Sequence, residues 1–348
     1  MTKSPYTMLP ILYALAATVP ADNLTQPATS REQFKAPRVI DWGKAPYPLA
    51  ERSALNEGWA VISVMVDPEG KPYEATVAES MGSAAFEQSA LTRILKSRFE
   101  PASVNGTPVH GAYSVKLEFT LSPKNFLLAK DRYQKFFVER YVEIAKAAEA
   151  GDRESADARL ARMQPHTLYE DALFGVAQYY YSSKWGTEAQ QLCALRRAVA
   201  GEKEATYLSE RTFMKALETQ LELEIQLQDF ARALRTAETL PAIGFEEVTS
   251  ERRRKSLDEI RKLRDKEDAY TAPGEFGERP SWYYELLKRR FQVEVTGGAI
   301  AEVKVRCDRQ YLSFPFDPTQ RYTIPGYNKS CSLELIGQPG THFRLTQS

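Results

Sequence analysis

The side chains best suited to chemistry in this chain are three cysteines and three histidines. His110, His166 and His342 are isolated from one another and from the cysteines, so no spacing typical of a metal site is present. The chain also lacks a Gly-x-Ser-x-Gly elbow, a Gly-rich phosphate loop ending in Lys-Ser or Lys-Thr, a His-Glu-x-x-His motif and a Cys-x-x-Cys motif. We therefore predict a protein that is not an enzyme, with no catalytic residues, no metal and no cofactor.

Two of the cysteines are spaced to form a disulfide. An oxidising compartment would let Cys307 and Cys331 link two predicted strands of the C-terminal region. Closing a loop of this length is worth about 3 kcal/mol through chain entropy. Cys193 lies in an amphipathic helical pattern with Leu192 and Leu195, which favours a buried structural thiol over a reactive one.

The charge balance limits the classes of partner. The 348 residues include 46 Lys and Arg and 46 Asp and Glu, so the formal net charge is zero. Without a basic field the chain is not typical of a protein that binds nucleic acid or an anionic membrane surface. The length exceeds one ordinary core and predicts two or three domains.

Residues 45–122 carry the clearest structural pattern. Residues 59–66 alternate as a strand, Asp67-Pro68-Glu69-Gly70 supplies a turn, and residues 72–78 form the second strand of a predicted hairpin. An amphipathic helix must then pack on this hairpin, since apolar residues follow at spacings of three and four: Phe86, Ala90, Leu91, Ile94 and Leu95. Residues 113–121 alternate again, which predicts a last strand with one apolar and one solvated face.

The order of these motifs resembles the C-terminal domain of the TonB family, a periplasmic module that binds outer-membrane transporters. Tyr47-Pro48 followed by Ala50 is similar to the family's helix start, and Asp67-Pro68-x-Gly70 is similar to its hairpin turn. Phe99-x-Pro101-Ala102 with Asn105-Gly106 is similar to the bend before its last strand. The resemblance covers less than a quarter of the chain.

The resemblance implies a binding mode. In the family, an extended peptide of the partner adds as a strand to the sheet edge, and the last strand is that edge. The polar side chains of this strand would then face outward and select the partner: Ser114, Lys116, Glu118 and Thr120. The predicted partner-binding residues are Tyr113, Ser114, Val115, Lys116, Leu117, Glu118, Phe119, Thr120 and Leu121.

The N-terminus has the three parts of a secretory signal peptide. Lys3 precedes a mostly apolar run from Tyr6 to Val19, and small residues follow up to Ala21. Pro10 interrupts the run, which is shorter than the about 20 residues that span a membrane. We predict a cleaved signal peptide at 1–21, a periplasmic protein and a short linker at 22–44, with an uncleaved inner-membrane anchor as the alternative.

Residues 126–270 show repeated helical stripes instead of strand alternation. Short breakers such as Gly151-Asp152, Trp185-Gly186, Gly201 and Pro241 separate them, which predicts antiparallel helical hairpins. Two of the units recur at about 34 residues, so the segment resembles degenerate tetratricopeptide repeats. An irregular helical bundle is the alternative, and either arrangement would bind a protein or a peptide.

The C-terminal part completes the predicted fold class. After a linker that begins at Ala272-Pro273-Gly274, residues 281–348 read as a small all-β domain. The class is α+β multidomain: a TonB C-terminal-like βαβ-type sheet with a packed helix, an α-helical repeat-like array and a small all-β domain.

Three functions are consistent with this organisation. The first is a non-enzymatic periplasmic adaptor that binds an extended peptide of an envelope partner, such as an outer-membrane receptor. The second is an anchored energy transducer for receptor transport. The third is a structural component of an envelope assembly, in which the sheet edges of two copies pair as a homodimer.

Overall fold

Three antiparallel strands form the first sheet of the structure, a computed structural model. β3 (Gly58–Val66) lies between β4 (Pro72–Ser80) and β8 (Gly111–Phe119). The predicted hairpin turn joins β3 to β4, where Asp67 Oδ1 accepts hydrogen bonds from the backbone N–H groups of Glu69 and Lys71 and Gly70 has a φ of 80°. The hairpin prediction is therefore confirmed.

One helix, α2 (Ala84–Leu95), packs on this sheet. Phe86, Ala90 and Ile94 are buried as predicted, and the Phe86 ring leaves no room for a Cβ atom at Gly58. Leu95 was expected in the same stripe but is 48% exposed, because it follows Ile94 and is rotated about 100° away from it. The smaller elements of this part are β1 (Phe34–Lys35), β2 (Arg38–Asp41), α1 (Leu49–Ser53), β5 (Arg98–Glu100), β6 (Ala102–Val104) and β7 (Thr107–Val109).

The structure describes residues 33–44, 46–81, 83–130, 134–200, 207–242, 251–277, 279–326 and 328–348. The predicted signal peptide, the first part of the predicted linker and the predicted break at Gly201 lie outside these residues. No helix within the described ranges is both long enough and apolar enough to cross a membrane.

The middle of the chain is helical, as predicted. The helices of the described residues are α3 (Pro123–Ala129), α4 (Lys135–Ala150), α5 (Arg153–Leu160), α6 (Leu168–Trp185), α7 (Glu188–Ala198), α8 (Glu210–Gln226), α9 (Phe230–Ala242) and α10 (Glu251–Asp265). Three successive pairs contact each other as hairpins: α4 with α5, α6 with α7, and α8 with α9. Contacts of α6 with α4 and of α7 with α8 join the hairpins into one array.

Local signals set the ends of these helices. Gly151 ends α4 with a left-handed φ of 73°, and capping boxes at Thr167 and Thr187 start α6 and α7. Pro241 lies within one residue of the end of α9 at Ala242, as expected for a residue that separates two helices. The burial predicted for Cys193 is wrong: Leu192 and Leu195 are buried, whereas the thiol between them lies on the exposed side of α7.

Two four-stranded antiparallel sheets form the C-terminal part. One has the order β10-β15-β12-β13 and the other the order β14-β11-β16-β9. Their bounds are β9 (Tyr270–Glu275), β10 (Ser281–Leu286), β11 (Arg290–Gly297), β12 (Ile300–Cys307), β13 (Tyr311–Pro315), β14 (Tyr322–Thr323), β15 (Cys331–Gly337) and β16 (His342–Gln347). Cys307 and Cys331 are directly opposite on β12 and β15 and form the predicted disulfide.

Strand β9 corrects the predicted linker at Ala272-Pro273-Gly274. This segment pairs with β16 over its whole length, with Pro273 opposite Arg344. Proline is tolerated here because β9 is an edge strand, and glycine is needed at 274 because the Phe343 ring lies against its Cα. The β domain therefore begins before residue 281.

Buried polar contacts join the three parts from Gln33 to Ser348 into one unit. Asp171 on α6 accepts hydrogen bonds from Trp59 Nε1 on β3 (2.9 Å) and from Arg197 Nε on α7 (2.5 Å). On the other side, Glu334 of β15 accepts from Thr76 Oγ1 of β4 (2.7 Å). The sheet of the first part is thus held by the helical array and by the β domain.

We expect Asp171→Ala to lower the free energy of unfolding by about 3 kcal/mol, because it leaves the Arg197 guanidinium and the Trp59 N–H without their buried acceptor. Urea unfolding of the full chain measures this change. The control Glu143→Ala removes an exposed partner of Arg159 and should change the free energy by less than about 1 kcal/mol. Equal effects of the two variants would contradict the role given to Asp171.

The disulfide gives a second expectation about stability. Replacing both Cys307 and Cys331 by serine should lower the free energy of unfolding by about 3 kcal/mol, because the 24-residue separation is then unconstrained in the unfolded chain. Cys193→Ser is the matched control and should have an effect within about 0.5 kcal/mol, since its thiol is exposed and unpaired. Thermal and urea unfolding under non-reducing conditions compare the variants.

Candidate functional site

Strands β4 and β8 are the two edges of the first sheet, since each pairs with β3 and with no other strand of the described residues. The predicted binding edge is β8. The direction of its backbone groups follows from β3. The carbonyl of Trp59 accepts a hydrogen bond from Met81 N, just beyond β4, so the backbone of Trp59 points away from β8. Because backbone groups alternate in direction along a strand, Gly58 and Ala60 point towards β8.

The register then identifies the free groups of β8. Gly58 is opposite Phe119 and Ala60 is opposite Leu117, so the odd-numbered residues of β8 bond to β3. The even-numbered residues consequently direct their N–H and C=O groups out of the sheet: Ala112, Ser114, Lys116 and Glu118. Such unpaired groups are the template for an added strand.

The predicted binding residues fall into two sets. Tyr113 and Val115 are half-buried against the core, and Leu117, Phe119 and Leu121 are buried. Ser114 and Thr120 are exposed. The strand ends at Phe119, so Thr120 and Leu121 lie beyond the edge itself.

The solvated face predicted for this strand is wrong at Lys116 and Glu118. Their side chains are only 17% and 19% exposed and form an ion pair at 2.5 Å. Lys116 Nζ also bonds to the carbonyl of Ala200, after α7, and lies 5.3 Å from the centre of the Trp59 ring. The helical array covers this part of the face, so these two side chains stabilise the fold.

A cleft of about 700 Å³ lies over the face of the sheet opposite α2, since Ser63 of the central strand and Glu79 of β4 line it as well as Ser114 of β8. Ser114 of β8 and Val61 of β3 line it from the sheet, Arg235 of α9 lines it from the helical array, and Ser332 of β15 lines it from the β domain. Sequence patterns gave no signal for this cleft, because its walls come from segments that are distant in the chain. The cleft lies between all three parts and includes the face of β8 that carries Ser114.

Two buried carboxylates fix the end of β8 to the start of α6. Glu57 accepts hydrogen bonds from the backbone N–H groups of Leu121 (3.0 Å) and Leu168 (3.1 Å). Glu170 accepts from the backbone N–H groups of His166 (2.8 Å) and Thr167 (3.3 Å). Burial raises the pKa of both carboxyl groups, and the charge of Glu57 adds to the increase in the pKa of Glu170.

Ion pairs occupy the helical wall of the cleft. Arg232 of α9 contacts Glu79 of β4 and lies 3.7 Å from Glu285 of β10. Burial alone would raise the pKa of Glu79, but the charges of Arg232 and Arg196 lower it below its usual value. No three His, Cys, Asp or Glu side chains come together as metal ligands in the described part of the chain.

Comparison with known proteins identifies the first part of the chain. Residues 44–121 match the family described as Gram-negative bacterial TonB protein C-terminal, which confirms the resemblance indicated by the motifs. Among solved structures, the solution NMR structure of the TonB C-terminal domain of Pseudomonas aeruginosa is 20% identical, over 25% of this chain and 88% of that chain, with a TM-score of 0.23. No curated protein matches the chain.

The junction at Glu170 predicts a dependence of stability on pH. Because the pKa of Glu170 is raised in the folded state, its contribution is complete below its unfolded pKa of about 4.3 and is lost as the pH rises through the folded pKa. Glu170→Gln keeps an acceptor for the helix cap but does not titrate. We expect the variant to gain free energy of unfolding relative to the parent as the pH rises above the unfolded pKa, as measured by urea unfolding at successive pH values.

The control for this comparison is Glu149→Gln, which changes an exposed carboxylate near the end of α4. If the difference in free energy of unfolding between Glu170→Gln and the parent is constant across the pH range, the raised pKa of Glu170 is contradicted.

Proposed function

We propose that this chain is a non-enzymatic protein of the cell envelope that binds an extended peptide of an envelope partner by adding it as a strand to β8. The observation that carries the proposal is the free edge, with outward backbone groups at Ala112, Ser114, Lys116 and Glu118. The family match of residues 44–121 supports an interaction with other envelope proteins, such as an outer-membrane receptor.

The surroundings of the edge favour one added strand over a homodimer. Residues of the helical array and the β domain line the cleft over the sheet face that Ser114 shares, so the approach to β8 suits an extended peptide better than the whole sheet of a second copy. The Cys307–Cys331 disulfide supports an oxidising compartment, and the periplasm is the envelope compartment that we propose.

Ser114→Pro tests the edge. Proline removes an N–H group that points out of the sheet, and an edge strand tolerates proline at such a position. We therefore expect a folded variant that binds peptides from a displayed random library at least about tenfold more weakly than the parent chain. Panning and fluorescence titration with the full chain measure the loss, since buried contacts hold residues 44–121 to the rest of the molecule.

Two further variants complete this test. Ser114→Ala keeps the N–H group and removes only the hydroxyl, so it should bind more strongly than Ser114→Pro and separates the loss of the N–H group from the loss of the side chain. Val115→Pro removes a group that bonds to β3 and should destabilise the fold, because its N–H points into the sheet. Unchanged peptide binding by folded Ser114→Pro would show that β8 is not the binding edge.

A further inference from the structure

The short helix α3 has an apolar outer side. Leu127 is 59% exposed and Leu128 is 51% exposed. On the inner side, Ala129 is buried and Phe126 is half-buried. Because residues three and four apart lie on the same side of a helix, Leu127 and Leu128 share the outer side with Lys124. The helix therefore directs two leucines away from the core of the protein.

A third large apolar side chain follows at the start of α4. Phe136 is 60% exposed, whereas its neighbour Phe137 is buried. Lys130, which caps α3, and Phe136 are separated by six positions, so their Cα atoms are at most about 22 Å apart. Phe136 therefore belongs to the same part of the surface as the two leucines.

Three lysines accompany these apolar side chains. Lys124, Lys130 and Lys135 are exposed, and none of the ion pairs among the described residues includes them. Residues 122–138 contain four Lys or Arg and one Asp, although the formal net charge of the chain is zero. The neutral total, which predicted no binding to an anionic membrane surface, thus conceals a local excess of positive charge. The α3–α4 patch comprises Lys124, Leu127, Leu128, Lys130, Lys135 and Phe136.

We propose that the α3–α4 patch docks on the surface of an anionic phospholipid bilayer. The two leucines and Phe136 enter the boundary between headgroups and acyl chains, and the lysines pair with the lipid phosphates. A lysine can lay its apolar stem beside an inserted leucine and still hold its ammonium group among the headgroups. Because α3 follows β8 directly in the chain, docking places the proposed binding edge close to the membrane surface.

The charges favour a bilayer over a second copy of the chain. In a two-fold dimer a surface patch meets itself, so the three lysines of one copy would lie among the three lysines of the other and repel them. Lysine is also depleted from interfaces between proteins, whereas basic and large apolar side chains together are typical of helices that lie in a membrane interface. The bilayer is therefore the occupant that fits both the leucines and the lysines.

The test measures how much of the chain without residues 1–21 sediments with lipid vesicles. The apolar run in these residues can enter lipid on its own, and its removal leaves the unit from Gln33 to Ser348 whole. We expect vesicles of phosphatidylcholine with about 30% phosphatidylglycerol to bind the chain at least about tenfold more strongly than vesicles of phosphatidylcholine alone. Added salt should reduce this difference, because it screens the lysines.

Two variants separate the apolar and the charged contributions. Leu127→Ser combined with Leu128→Ser should weaken binding by about tenfold, because less apolar surface enters the bilayer. Lys124→Gln, Lys130→Gln and Lys135→Gln together should weaken binding to the anionic vesicles by about tenfold or more and leave binding to neutral vesicles unchanged. All these side chains are exposed, so both variants should fold, and thermal unfolding checks this.

The matched controls change exposed side chains of other elements. Lys71→Gln, Lys96→Gln and Lys184→Gln together remove the same charge as the triple variant of the patch and should bind anionic vesicles within about twofold of the parent. Leu49→Ser is the control for the leucines, because Leu49 of α1 is 69% exposed. This variant should also bind like the parent.

Three results would overturn the inference. The first is a parent chain without preference for anionic vesicles, and the second is unchanged binding by the folded variant with Leu127→Ser and Leu128→Ser. The third is a dimer in light scattering that this variant converts to a monomer, since the patch is then a contact between copies. Ser114→Pro should bind vesicles like the parent, so the membrane patch and strand addition at β8 are tested separately.

Discussion

The packing of the sheet against the helical array depends on the hydrogen bonds of one buried carboxylate, that of Asp171. It lies on a helix of the array and is bonded to the indole of Trp59 in the sheet and to Arg197 on the neighbouring helix. Loss of one hydrogen-bond partner of a buried ionised group is strongly destabilising. Asp171, Trp59 and Arg197 can therefore be buried together only when the sheet and the helices are correctly packed. The contact therefore couples the folding of the sheet to that of the array.

This packing limits which surfaces of the TonB C-terminal-like part are accessible to a partner. In isolation, its sheet would have α2 on one face, whereas the other face and the edges at β4 and β8 would be open. Here the helical array covers the face that carries Trp59 and Lys116, and the β domain contacts the second strand through Thr76. The additional parts of the chain thus restrict how a partner could approach the edge of β8, which we propose as the binding site.

Local sequence patterns predicted most of the longer helices and strands of this fold, but not the contacts between them. The hairpin, the packed helix and the strand from 113 onward follow from apolar spacing and turn residues, and the facing cysteines identified the disulfide. Strand β9 was missed because Pro273-Gly274 is a turn signal except at a sheet edge. The burial of Lys116 was not predicted, because it depends on Ala200, which is distant in the chain. The cleft was not predicted for the same reason, since its lining includes Ser332.

The alternating directions of the backbone groups and side chains of β8 determine which of its residues can be substituted without loss of stability. Residues that bond to β3 also place their side chains in the core, whereas the residues whose backbone meets a partner place theirs on the opposite face. Lys116 and Glu118 are committed to the fold, which leaves Ala112 and Ser114 as positions where a substitution alters recognition at little cost to folding. In the binding mode that we propose, partner choice can therefore change at two neighbouring even-numbered positions, while selection for stability acts on the residues between and beside them.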